Sequence, residues 1–138
     1  MREKTLGLEA RRVEQAADLD ALARLAEELG DDRRRGHAAR RRALRALRIA
    51  DWAAAEDAAR DAIACATRAG DDHGRLQALR LLAWTCIKRG DAEGCSALAG
   101  PALVEARGLG LRDVESNLLD VLAMAAAQQG DAVGHRLG

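Results

Sequence analysis

The sequence almost lacks aromatic residues: it has no Phe and no Tyr, and two Trp give an aromatic fraction of 1%. β-Sandwiches and barrels draw on aromatic and β-branched side chains, so this scarcity argues against them. Proline occurs once and 49% of the residues are apolar, which argues against a disordered chain. No apolar run approaches the roughly 20 residues of a membrane span. Alanine (32 residues) and leucine (20) remain for packing, and they predict a single all-α domain over 1–138.

Cysteine and histidine give little sign of a metal or redox centre. The three cysteines, Cys65, Cys86 and Cys95, share no CxxC spacing, and no signal sequence precedes them, which indicates reduced thiols in a cytoplasmic protein. Burial as small side chains is the favoured interpretation, with a redox switch or metal site as the alternative. The histidines are far apart, and there is no phosphate-binding glycine loop or nucleophile with a nearby base. We therefore predict no metal, no cofactor and no enzymatic activity.

The charge is balanced overall but unevenly distributed. Basic and acidic residues number 22 each, yet residues 1–50 carry 13 basic and 9 acidic groups, and residues 51–138 carry 9 and 13. Eight arginines and no acidic residue lie between Arg33 and Arg48. Such a cluster is typical of an anion-binding surface, but the zero net charge and the lack of Phe and Tyr for base stacking argue against a nucleic-acid partner.

Turn residues recur at an interval of 40 residues. One set contains Gly30, Gly70 and Gly110, and a second contains Ala50-Asp51, Gly90-Asp91 and Gly130-Asp131. Gly can end a helix in the left-handed conformation, and Asp can cap the helix that follows. A fixed period of this length is the signature of stacked repeats.

The segments between these turns have apolar residues at helical spacing and predict about six helices, over 8–29, 33–49, 52–69, 73–89, 92–108 and 112–129. They group into an incomplete unit 8–29, a repeat 33–69, a repeat 73–108 and a partial repeat 112–138. Short connections make consecutive helices antiparallel, and repeated pairs stack into a solenoid. Pro101 lies inside the fifth predicted helix, where we expect a kink.

The repeated positions resemble the tetratricopeptide repeat family, in a form of about 40 residues. The second unit carries the resemblance best, with Leu79, Leu82-Ala83, Cys86, Gly90-Asp91, Cys95, Ala99 and Ala102. The resemblance covers roughly residues 12–135. It departs from the family at Arg42, where the other units have leucine, and in lacking the usual aromatics. It implies an antiparallel helix-hairpin solenoid that binds a protein or peptide in its concave face.

In this family the first helix of each pair lines the concave face. Carried over position by position, the resemblance implies a binding site made of Arg40, Arg41, Leu44, Arg48, Arg80, Trp84, Lys88 and Asn117. The same alignment places further positions in the groove, namely His37, Leu47, Gln77, Leu81, Ile87, Asp120, Val121, Met124, Ala127 and Gln128. The guanidinium fork of arginine fits carboxylates, and Trp offers a rigid apolar contact. The expected partner is therefore a peptide or protein segment with an acidic residue or terminal carboxylate beside an apolar side chain.

Alternatives remain for the arginines, for Trp84 and for the whole chain. The arginines are otherwise solvated, or paired across helices with Asp31, Asp32, Asp57 and Asp61, and Trp84 is otherwise a core residue. The chain is otherwise a ligand-sensing or assembly segment of a larger bacterial signalling or transcriptional regulator, as its abrupt C-terminus suggests. A third hypothesis is a self-assembling repeat protein that forms a homo-oligomer through its C-terminal end.

Overall fold

The computed structural model is all-α, which confirms the predicted fold class. It describes the backbone of residues 2–137 and the side chains of residues 17–131. Five helices make up this part of the chain: α1 (Arg2–Arg48), α2 (Trp52–Ala69), α3 (Asp72–Lys88), α4 (Ala92–Leu109) and α5 (Arg112–Leu137). Among these residues, no helix combines the length and the apolar character that a membrane span needs.

The prediction of six helices is wrong, because the predicted helices 8–29 and 33–49 are one continuous helix, α1. A turn at Gly30 requires the first segment to fold back onto the second, as α2 folds onto α3. There, α3 receives α2 on the buried side chains of Ala78 and Leu82.

The corresponding positions of α1, 40 residues earlier, are Ala38 and Arg42, and both are exposed. Arginine in place of leucine leaves no apolar surface for a returning helix. The backbone hydrogen bonds of an unbroken helix are then the better arrangement, since a glycine inside a helix costs only about 1 kcal/mol relative to alanine.

The C-terminal end differs from the prediction in the same way. The helix predicted to end at residue 129 continues as α5 through Gly130-Asp131 to Leu137, so the turn expected within the partial repeat 112–138 does not form. The exposed positions Leu119, Ala123 and Ala126 lie on α5 with no helix packed on them among the described residues. Residue 138 and the side chains of residues 132–137 lie outside the described part.

The turns that do form recur every 20 residues. Residues 50, 70, 90 and 110 have positive φ angles of 59, 64, 80 and 70°. Helices α2 to α5 each begin two residues later. An aspartate follows at three of these turns, and its carboxylate accepts the backbone N–H three residues on: Ala54 at 3.1 Å from Asp51, Gly74 at 3.0 Å from Asp71 and Gly94 at 2.8 Å from Asp91. Each such cap is worth about 1 kcal/mol.

The first turn contains Ala50 where the other three contain glycine. A left-handed conformation costs a non-glycine residue about 1 kcal/mol, and Ala50 is exposed, so no packing depends on its methyl group. We expect Ala50→Gly to raise the free energy of unfolding by about 0.5–1 kcal/mol in urea denaturation followed by circular dichroism. As a control, Gly70→Ala should lower it by a similar amount, and equal signs for the two changes would contradict this explanation.

Contacts between side chains fix the direction of neighbouring helices. Arg42 of α1 bonds Asp61 of α2 at 2.8 Å, and Asp32, earlier in α1, accepts from Arg68, later in α2, at 3.3 Å. Rising numbers in α1 thus meet falling numbers in α2, so these helices are antiparallel. Gly36 sits at their closest approach, where a Cβ would lie 3.3 Å from the Cβ of Cys65.

The helices α1, α3 and α5 form one row, and equivalent positions touch across it. His73 lies 2.7 Å from Asp113, 40 residues further on. Asn117 donates to Gln77 at 3.4 Å with the same offset, and Gln128 donates to the backbone carbonyl of Ile87 at 3.0 Å. Within the described residues α1 contacts α3 and α3 contacts α5, whereas α2 and α4 do not touch. The predicted 40-residue interval therefore appears as direct contact between equivalent positions.

The core is built from small residues, with a few larger side chains between them. Alanines dominate the buried set, and Leu76, Leu81, Val114, Leu118 and Val121 supply most of the volume. Cys65 and Cys95 are buried free thiols, and Cys86 is half-buried. Burial raises the pKa of the Cys95 thiol to about 11. The helix α4 continues without interruption through Pro101, which is exposed.

Candidate functional site

A cavity of about 260 Å³ lies between α1 and α3. We call it the α1–α3 groove, and it is lined by His37, Arg40, Arg41 and Leu44 of α1 and by Gln77, Arg80 and Leu81 of α3. Four residues of the predicted site, Arg40, Arg41, Leu44 and Arg80, are thereby brought together. They come from two helices whose equivalent positions are 40 residues apart, and the contact between α1 and α3 makes them neighbours.

The arginines of α1 fall into paired and unpaired groups. Arg42 bonds Asp61, and Arg34 lies 3.6 Å from Asp31. Asp32 is taken by Arg68 of α2. Cross-helix and local pairing, one of the alternatives for the arginine cluster, therefore accounts for part of it.

The groove arginines belong to the unpaired group. Among the residues whose side chains are described, no carboxylate oxygen lies within 4.0 Å of Arg40, Arg41 or Arg80. Arg40 instead shares a hydrogen bond of 3.1 Å with Nδ1 of His37, which orients its guanidinium at the edge of the groove. The groove is thus cationic, and its cations are free to bind an anion.

Arg80 is the most confined of these cations. Its side chain is half-buried, and its Nε is enclosed without a hydrogen-bond partner among the described residues. Burial lowers the pKa of the Arg80 guanidinium, and the attraction of Asp120 on α5 acts in the opposite direction. A buried donor without an acceptor is unfavourable, so an acceptor brought by a ligand is stabilised here.

Trp84 follows Arg80 by one turn of α3 and is half-buried. Its ring packs against both large core clusters, and the guanidinium of Arg80 and the ammonium of Lys88 lie 5.9 and 6.0 Å from its centroid. Both distances are within the range of cation–π attraction. Trp84 therefore combines the two roles left open by the sequence: one side belongs to the core, and another carries cations beside the groove. Leu44 packs on the same core cluster from α1.

The remaining residues of the predicted site lie further from the cavity. Asn117 reaches it indirectly, through its hydrogen bond to Gln77. Lys88 is exposed and touches the site through Trp84. Arg48 is exposed and does not line the cavity. Leu47 and Val121, which the alignment placed in the groove, are buried in the core, and that part of the expectation is wrong.

Two other cavities differ from the groove in charge. One of about 310 Å³, between α2, α3 and α4, contains Arg60 and Arg89, and both already bind Glu56, at 3.1 and 2.8 Å. The other, between α1 and α2, contains the pair formed by Arg42 and Asp61. In both, the positive charge is compensated within the chain. Of these cavities, the α1–α3 groove is the one whose arginines lack carboxylate partners among the described residues.

Comparisons with family models, with curated proteins and with solved structures find no match to this chain.

Proposed function

We propose that the chain is a tetratricopeptide-type helical repeat protein that binds an acidic, partly apolar peptide segment in the α1–α3 groove. The row of α1, α3 and α5 supports the repeat arrangement, because equivalent positions touch at offsets of 40 residues. One observation carries the functional proposal. Arg40, Arg41 and Arg80 surround a single cavity, and none has a carboxylate within 4.0 Å among the described residues.

The chemistry of the groove selects the ligand. Guanidinium groups form short, charge-assisted hydrogen bonds with carboxylates, often two in parallel. The unpartnered Nε of Arg80 gains an acceptor on binding, and removing water from the half-buried site strengthens that bond. Leu44 and Leu81 provide the apolar floor that a ligand's leucine or similar side chain covers. A ligand with both features uses every part of the groove, whereas a purely acidic one leaves the floor exposed to water.

The proposal is tested with two synthetic peptides that share their leucines and differ in charge, one with glutamates and one with lysines at the other positions. Fluorescence anisotropy of labelled peptides measures the dissociation constants. We expect the glutamate peptide to bind at least about tenfold more tightly, equivalent to 1.4 kcal/mol. The difference should shrink as NaCl is raised from about 0.05 to about 0.5 M, because salt screens exposed charges. Equal binding of both peptides, or preference for lysine, would overturn the proposal.

A further inference from the structure

The N-terminal half of α1 presents an apolar stripe that no other helix covers. Every residue from 17 to 29 is exposed, and four leucines recur every three or four positions along this stretch. We call them the leucine stripe: Leu19, Leu22, Leu25 and Leu29 are 66, 61, 50 and 37% exposed. That spacing places them on one side of the helix. Single exposed leucines are ordinary, but a row of four on one face marks an interaction surface.

The 40-residue interval shows that this stripe has the register of a packing face. Leu19 and Leu22 correspond to Ala59 and Ala62 of α2, and both alanines are buried against neighbouring helices. Leu25 corresponds to the buried Cys65. The stripe therefore occupies the positions that α2 uses for its contacts, with larger side chains and without a partner.

Charge divides α1 sharply beside this stripe. Residues 17–32 contain six acidic groups and one arginine, whereas residues 33–48 contain eight arginines and no acidic group. The change of sign falls between Asp32 and Arg33. The acidic half carries the leucine stripe, and the basic half carries the α1 wall of the α1–α3 groove. One half thus has the acidic and apolar composition that the other half is proposed to bind.

The stripe cannot reach the groove of its own chain. Both belong to one unbroken helix, in which Leu22 and Arg40 are separated by about 27 Å of helical rise. A second copy can supply it. Two α1 helices placed antiparallel about a two-fold axis at Asp32-Arg33 set the acidic half of each against the basic half of the other. The stripe and the α1 groove residues point in directions about 60° apart around the helix, so both fit one broad interface.

We infer that the occupant of the α1–α3 groove is the acidic leucine segment 17–32 of a second copy, in a two-fold dimer of antiparallel α1 helices. The inference rests on the proposed function, since it names the partner of the same groove. The stripe's leucines cover Leu44 and Leu81, and the acidic side chains face the arginines. An isologous contact of this kind closes on itself and forms a dimer. Dimerisation also buries the four exposed leucines.

Sedimentation velocity of the full chain over a concentration series tests the inference. The wild-type chain is expected to reach twice its mass of 14.7 kDa. The double change Leu22→Glu/Leu25→Glu is expected to raise the dimer dissociation constant by about 100-fold or more, because two buried leucines are lost and negative charges enter an apolar contact. Both residues are exposed within the described chain, so the helical circular dichroism spectrum should be unchanged.

A matched control adds the same two charges elsewhere on the same stretch. Ala17→Glu/Ala21→Glu changes two exposed residues on the side of α1 away from the leucines, and it should alter the dissociation constant by about threefold or less. A wild-type chain that stays monomeric at all concentrations would overturn the inference, and so would a dimer weakened equally by both double changes.

Failure of the dimer and failure of the groove are separable. Leu22→Glu/Leu25→Glu leaves every groove residue intact and unoccupied, so this variant should bind the glutamate–leucine peptide as a monomer. If it binds the peptide while the wild-type chain is also monomeric, the groove proposal stands and the dimer is wrong. If it binds neither the glutamate nor the lysine peptide, the groove proposal itself is wrong.

Discussion

Arg40→Glu is expected to weaken binding of the glutamate–leucine peptide by about 100-fold or more. The change removes a cation that lines the groove and places a negative charge against the ligand's carboxylates, and such like-charge contacts cost several kcal/mol. Because 1.4 kcal/mol corresponds to a factor of ten, a penalty near 3 kcal/mol gives about this loss. The fold should be unaffected, since Arg40 has a local hydrogen bond to His37 and no ion pair among the described residues.

Arg45→Glu provides the matched control for this prediction. Arg45 lies on the same helix, is exposed and lacks a carboxylate within 4.0 Å among the described residues, but it does not line the groove. The same reversal of charge there acts only through screened, longer-range attraction and should change the dissociation constant by about threefold or less. Fluorescence anisotropy with both variants at equal concentrations makes the comparison. Equal losses at the two positions would show that net charge, and not the groove, governs binding.

Leu118→Ala is expected to lower the free energy of unfolding by about 3–5 kcal/mol. Leu118 is fully buried in the cluster that joins α3, α4 and α5, and among the surrounding side chains are Leu76, Val114 and Val121. Truncation removes the buried leucine and leaves a cavity that alanine neighbours are too small to fill. Domains of this size are stable by only about 5–15 kcal/mol, so a large part of the stability is lost.

The adjacent residue supplies the control, because Leu119 is 42% exposed on the same helix. Leu119→Ala should cost less than about 1 kcal/mol, since little of its surface is removed from water. Urea denaturation monitored by circular dichroism gives both values from midpoint and slope. Similar losses for the two leucines would contradict the packing assigned to α5.

The sequence predicted the helical class and most turns because these depend on local chemistry. Aspartate after a left-handed residue caps a helix wherever the next helix packs back, as at Gly70-Asp71 and Gly90-Asp91. The same dipeptide does not break α1 at Gly30-Asp31. The difference is tertiary: Arg42 occupies the position where Leu82 receives a neighbouring helix. A dipeptide permits a turn, and the surface available for packing decides whether it forms.

The candidate site was predictable to the extent that it follows the 40-residue interval. Equivalent positions on α1 and α3 place Arg40 and Arg80 on one cavity, as the alignment implies. The interval alone does not reveal which arginines are already paired, because the bond from Arg42 to Asp61 depends on how α1 packs against α2. Nor does it reveal that the Nε of Arg80 is enclosed without a partner. Both features arise from packing between helices distant in sequence.

The leucine stripe was missed because a turn at Gly30 was expected to make it part of a separate packed helix. Its signal was present in the spacing of Leu19, Leu22, Leu25 and Leu29 and in the change of charge after Asp32. Only an unbroken α1 makes the stripe project away from the other helices. The correction to the helix count therefore has a functional consequence, since it exposes an acidic, apolar segment on a chain with a basic groove.

The central claim is that charge within the α1–α3 groove selects the ligand. The most direct measurement is the ratio of dissociation constants for the glutamate and lysine peptides, determined for the wild-type chain and for Arg40→Glu/Arg41→Glu. The wild-type chain should prefer the glutamate peptide, and the double variant should prefer the lysine peptide, because both substituted residues line the groove. An unchanged preference in the double variant would contradict the account.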